Sequence, residues 1–152
     1  MKKSAAIGVI LVLFIIAIAA AAQEPSQSPT AQKSLYQRLG GYDALAGVTD
    51  DFIGRMAGDP TLKRFFLGLS TDSKRRVRSH IVDFLCVATG GPCVYTGRDM
   101  ETVHTGLNIT DADWDISVKH LIATLDKFKV APQEKKEVLT AISSLKPKIV
   151  NR

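Results

Sequence analysis

The chain is sparing with the residues that usually declare chemistry. It has three histidines, two cysteines and one tryptophan in 152 residues. No segment shows sustained apolar–polar alternation flanked by hairpin turns, which excludes a β architecture. There is no internal repeat, no low-complexity tract within the folded part, and no flavin- or nicotinamide-binding module. Charge of one sign is also in short supply. The formal net charge is +5, of which Lys2 and Lys3 carry two. The one basic cluster (Lys74, Arg75, Arg76 and Arg78) opens a single helix without interleaved aromatics, so nucleic acid is excluded as a partner. The cluster reads as a solvated face or as a contact for an anionic cofactor group.

What is present begins with an export-like segment. Lys2 and Lys3 precede an uncharged run, Ser4 to Ala22, that ends in small residues before Gln23. This is the layout of a secretory signal, and residues 1–22 read as a signal peptide or an uncleaved anchor, because the run approaches the length that spans a bilayer. In either case the rest of the chain is expected to be exported: periplasmic, secreted, or held at a membrane only by that anchor. Residues 23–33 form a polar Pro/Ser linker with no apolar period. Residues 34–150 are long enough for one core.

That domain reads as all-α. Ser34 to Leu39 makes a short helical start stopped by Gly40-Gly41, and a helix follows over 42–56 with Leu45, Val48, Phe52 and Ile53 on one side. Asp59 to Phe66 reads as a turn-helix, and the next helix starts at Thr71 or Asp72 and ends at Gly90-Gly91-Pro92. Thr110 caps a helix with Trp114, Val118, Leu121, Ile122 and Leu125 on its stripe. Pro132 opens a last helix with Val138, Ile142, Leu145 and Ile149 on its face. Cys86 and Cys93 straddle the glycine corner and form either a disulfide or two separate thiols, since spacing does not establish the geometry.

Two histidines stand out. His80 belongs to the stripe Val77, His80, Ile81, Phe84, Leu85 and Ala88, which has the rhythm of a buried helix face. An imidazole there must find a hydrogen-bond partner or a metal, because an unpaired buried polar group costs about 1–3 kcal/mol. His104 lies across the corner, so a metal held between two helices is one reading. His120 falls off its own helix's stripe and is expected at the surface.

The segments SLYQRLGGYDAL, DDFIGRMAGDPTLKRFF, ATGGP and YTGRDMETVHTGLNIT, in that order, resemble the truncated haemoglobins of group I over nearly all of residues 34–150. The resemblance implies a two-over-two helical sandwich around a non-covalent b-type haem. Neither cysteine lies in a C-x-x-C-H sequence, which excludes c-type attachment through that motif. His104 matches the family's proximal iron ligand. Phe66, beside Phe65, matches the aromatic that packs on the haem face. The resemblance places Phe52, Phe84, Met100, Val103, Ile109, Trp114 and Leu121 on the pocket wall. Tyr95 and Arg98 are candidates for the haem propionates, with an exposed arginine as the alternative.

The departures from the family bear on mechanism. Where many members carry an oxygen-binding tyrosine after the phenylalanine of the DDF stretch, this chain has Ile53. The frequent distal glutamine is replaced by Ile81, and Val77 adds no donor. His80 matches a distal histidine of cyanobacterial relatives, which makes it a candidate distal iron ligand or gas-stabilising donor. The alternatives are an imidazole swung to solvent or bonded to a propionate. The implied function is reversible binding of a diatomic gas (oxygen, nitric oxide or carbon monoxide) opposite His104. The alternatives are a nitric oxide dioxygenase served by a partner reductase, and a bis-histidine redox protein with a redox partner.

Overall fold

The computed structural model describes residues 32–152. The expected export segment and most of the expected linker lie outside the described residues. Among the described residues every regular element is helical.

Helix α1 (Leu35–Arg38) is opened by a reciprocal cap in which Ser34 and Gln37 satisfy each other's backbone N–H groups. The chain then turns through Gly40 and Gly41, both at positive φ, straight into α2 (Gly41–Gly58). Asp59 accepts from the Thr61 and Leu62 N–H groups and so starts a 3-10 helix over Leu62–Phe65.

Helix α3 spans Thr71–Ala88. Its cap is Ser70, one residue before the expected Thr71. Ser70 is the last residue with extended backbone, and its hydroxyl accepts from the Ser73 N–H at 3.1 Å. Asp99 caps α4 (Met100–His104), and a Thr110–Asp113 capping box starts α5 (Asp111–Lys127). The expected single last helix is divided into α6 (Pro132–Ser143) and α7 (Lys146–Ile149). Pro147 is the physical reason: it lacks an N–H and its ring crowds the carbonyl one turn back, at Ser143.

The core joins α2, α5 and α6 through Val48, Leu121, Leu125 and Val138, with Leu35, Leu39, Phe52 and Ile142 packed around it. Burying such side chains contributes about 1.5–3 kcal/mol each. Helix α3 packs on α2, whereas α4 packs on α7. The expected stripe of α3 is not its most deeply buried face. The fully buried positions are Val82 and Cys86, on a neighbouring face, while Val77, His80, Ile81 and Phe84 are half-buried and Ala88 is exposed. Apolar spacing marks both faces alike, and the face that holds Val82 is the more deeply buried one. Cys86 and Cys93 form a disulfide with Cα atoms 5.9 Å apart, which ties the end of α3 to the loop leading into α4.

Candidate functional site

His104 is the last residue of α4, and its Nδ1 lies 2.7 Å from the Met100 carbonyl oxygen one turn earlier. A carbonyl only accepts, so Nδ1 carries the proton and donates. The Nε2 lone pair is thereby left free, in the tautomer a metal ligand requires. The segment after it is held from the C-terminal end: Gly106 N–H donates to the Arg152 carbonyl at 3.0 Å, and Asn151 N–H to the Ile109 carbonyl at 2.8 Å. Arg152 also pairs with Glu101 at 3.4 Å. Gly106 has a φ of 83°, so the chain leaves α4 through a conformation that disfavours side chains.

His80 is half-buried on α3. Its ring meets the Tyr95 ring edge-on, with centroids 6.0 Å apart, and Phe84 meets the same tyrosine at 5.5 Å. The Tyr95 hydroxyl donates to the Arg98 carbonyl at 2.7 Å. Burial, helped by the Asp99 charge, pushes that hydroxyl's pKa up and keeps it protonated. The hydroxyl proton expected for a propionate is therefore committed to the backbone. The Arg98 guanidinium is exposed, and it, Lys74 and Arg76 make no ion pair among the described residues.

The other expected wall residues are distributed over six segments. Phe52 and Ile53 on α2, Phe65 and Phe66 on the 3-10 helix and its cap, Val77, Ile81 and Phe84 on α3, Met100 on α4, and Ile109 before α5 are all half-buried. Val103 is exposed, whereas Trp114 and Leu121 are buried on α5. The two phenylalanines differ: the Arg64 guanidinium covers the Phe65 ring at 4.3 Å, so Phe66 is the ring that remains uncommitted. Half-buried apolar side chains in this number suit a flat, largely apolar cofactor.

Among the described residues there is no cluster of three or more His, Cys, Asp or Glu able to hold a metal ion. His104 thus offers one imidazole nitrogen, which suits an iron whose remaining equatorial ligands come with a macrocycle. The free lone pair and the apolar walls together fit a haem.

Some functional support was not visible in the spacing. His120, expected at the surface, is half-buried, with Nε2 3.0 Å from Asp59 Oδ2. That contact, followed by the Thr61 N–H, draws the Asp59 carboxyl below its ordinary pKa. Asp59 lies 61 residues away in sequence, so no local pattern announces the pair. The C-terminal clamp on α4 is hidden for the same reason.

Comparison with known proteins gives a consistent picture. Residues 34–151 match the family of bacterial-like globins. A group 1 truncated haemoglobin of Mycolicibacterium paratuberculosis is 36% identical over 116 residues, covering 76% of this chain and 83% of that protein. The Fe(III) structure of a truncated haemoglobin from Tetrahymena pyriformis superposes with a TM-score of 0.72 at 27% identity, over 79% of this chain and all of that one. The 2/2 haemoglobin of a Synechococcus species, solved in the cyanomet state with covalently attached haem, gives a TM-score of 0.71 at 28% identity, with 79% and 100% covered.

Proposed function

Since the chain belongs to the bacterial-like globins, as a haem-binding truncated haemoglobin of group 1 with the two-over-two fold, we propose that it reversibly binds a diatomic gas, chiefly oxygen, on the iron face opposite His104. The observation that carries this reading is the His104–Met100 bond, which fixes the imidazole in the tautomer that presents Nε2. The haem supplies the ferrous iron that takes the gas. The protein's part is to donate one imidazole lone pair, to hold it in orientation, and to surround the site with apolar walls that exclude water.

Discrimination among gases falls to the distal side chains. Ile53, Val77 and Ile81 carry no hydrogen-bond donor. Oxygen would draw on such a donor more than carbon monoxide or nitric oxide would, so apolar walls alone would favour the latter two. His80 is the donor we assign, either to the gas or, in its absence, as a sixth ligand. Where His80 ligates, apparent gas affinity falls by the fraction of sites it occupies. Arg98, Lys74 and Arg76 are the cations we assign to the propionates.

The haem is proposed to be haem b, held without covalent bonds. Cys86 and Cys93 are bonded to each other, so neither offers a free thiol for attachment. Acidic organic solvent should extract the haem completely; haem that stays with the polypeptide overturns this. We also propose export, supported by the Lys2-Lys3 flank, the uncharged run that follows, and a disulfide of the kind that persists in oxidising compartments. The mass of the N-terminus after expression distinguishes cleavage from an anchor.

The test of the central reading is His104→Ala. The expected result is loss of the imidazole–iron absorption signature, restored by added imidazole; an unchanged spectrum removes His104 as the ligand. Conversion of nitric oxide to nitrate by the oxygenated protein, measured by stopped flow, tests the enzymatic alternative, which requires an external electron donor.

A further inference from the structure

We propose that Tyr95, anchored by the Cys86–Cys93 disulfide and seated over Gly97, is the positioning residue that fixes the orientation of the His80 imidazole toward the haem. The inference rests on the reading of His80 as the distal group and deepens it.

Four observations converge on this ring. Tyr95 follows the bonded Cys93 by two residues, and Cys93 is tied to Cys86, which is fully buried in α3. The tyrosine is therefore attached to the same helix as His80 by a covalent link, in addition to the main chain. Gly97 lies directly beneath it: a Cβ at that position would stand 2.3 Å from the Tyr95 hydroxyl and 2.4 Å from the ring carbon that bears it. Only a glycine there allows the ring to lie where it does. The hydroxyl is fixed by its bond to the Arg98 carbonyl. Finally, the ring presents itself to His80 and Phe84, one helical turn apart, in edge-on geometry at 77° and 75°.

The consequence follows from the conformational freedom of histidine. A half-exposed imidazole on a helix samples several rotamers, and ordering it at the moment of ligation has an entropic cost. An aromatic wall that holds one rotamer in advance lowers that cost. The disulfide, the glycine and the hydroxyl bond keep the wall itself from moving. On this account the sixth-ligand strength of His80 is set by the loop over residues 93–98 as well as by α3.

The experiment uses the full chain loaded with haem, and reads the low-spin six-coordinate fraction of the ferrous spectrum together with the apparent carbon monoxide association rate. Tyr95→Phe keeps the ring but loses the hydroxyl anchor to Arg98, so it should fall between the parent and Tyr95→Leu. Tyr95→Leu, Gly97→Ala and the Cys86→Ala/Cys93→Ala pair should lower the six-coordinate fraction by about two- to tenfold, the range of one aromatic contact, and speed carbon monoxide binding correspondingly. In a His80→Leu background the same substitutions should change neither readout, which a purely structural role does not predict. Parent-like values in Tyr95→Leu, a rise in the six-coordinate fraction, or effects that persist without His80 overturn the proposal.

If His80→Leu alone leaves the ferrous spectrum unchanged, His80 is not a ligand and that part of the functional reading fails. The positioning claim is then decided in the haem-free chain by the NMR shifts of the His80 ring protons. A displacement retained in Tyr95→Phe and lost in Tyr95→Leu supports it; identical shifts in all three reject it.

Discussion

The Arg64 guanidinium stands 2.7 Å from the carboxylate of Asp113, a residue only 2% exposed at the start of α5. The same guanidinium lies over Phe65, so one arginine joins the aromatic pair of the 3-10 helix to α5. Asp113 also accepts from the backbone N–H and hydroxyl of Thr110. Burial works against this charge, but the Thr110 and Arg64 hydrogen bonds outweigh it and hold the carboxyl below its ordinary pKa. Asp113→Ala removes the capping box and strands the arginine. The expected loss is about 2–3 kcal/mol in denaturant unfolding, combining a lost cap with an unmet charged partner. A change under about 0.5 kcal/mol would show that α5 does not depend on this junction.

Thr49 presents the opposite case. Its side chain is fully buried on α2, and its hydroxyl is a buried polar atom without a hydrogen-bond partner among the described residues. Valine has nearly the same shape and no polar atom to satisfy. Thr49→Val is expected to raise stability by about 1–2 kcal/mol, visible as a higher Tm at unchanged haem content. A lower Tm would mean that the hydroxyl is satisfied in solution.

Asp51 makes the domain sensitive to acid. Its carboxylate accepts from Arg55 at 2.6 Å and Thr124 at 2.8 Å, and pairs with Lys127. The Arg55 bond first, then Lys127, hold its pKa far below the usual carboxylate range. A folded-state pKa below the unfolded one, about 4, gives stability that is present above that value and lost as pH falls toward the folded pKa. Asp51→Asn should therefore lower the Tm at pH 7, with the gap to the parent closing below about pH 4. A gap that stays constant down to pH 2 would assign the effect to shape rather than charge.

The clamp on α4 predicts a haem-retention effect. Removing Asn151 and Arg152 deletes the N–H that reaches Ile109, the carbonyl that holds Gly106, and the pair with Glu101. These contacts hold the backbone on either side of His104 rather than its ring, so their loss should weaken the site by up to about tenfold, the lower end for a direct ligand partner. Transfer of haem to an excess of apomyoglobin should be faster by that order in the shortened chain. Equal transfer rates would show that the Met100 carbonyl alone suffices to hold His104.

Gas kinetics provide the last check. His80→Leu removes the one donor assigned to the distal side. It should speed oxygen dissociation by about tenfold or more while leaving carbon monoxide dissociation within a factor of a few, because only oxygen draws strongly on a hydrogen bond. Equal effects on both gases would mean that His80 acts by bulk.

The helices were legible because their signals are local. Ser34 and Thr110 bond within three residues of themselves, and apolar spacing over α2 and α5 needs no partner to be recognised. The candidate proximal ligand was legible through the resemblance of YTGRDMETVHTGLNIT to the family's segment; its bond to the Met100 carbonyl came from the structure. Even so, locality misled at two places. The stripe of α3 marks the half-buried face that holds Val77, His80, Ile81 and Phe84, and its spacing did not show that Val82 and Cys86 are the fully buried positions. Pro147 was passed over by an apolar period that runs straight across it.

The sequence by itself determined an all-helical domain, the order of its helices, and two candidate imidazoles, because periodicity, caps and motif order act over a few residues. Only the tertiary structure decided what surrounds those imidazoles. It paired Cys86 with Cys93, His120 with Asp59 and Arg64 with Asp113, folded the C-terminus back on α4, and laid Tyr95 between Gly97 and His80. The physical reason is distance along the chain: contacts across tens of residues depend on how helices pack, and side-chain spacing carries no record of that packing.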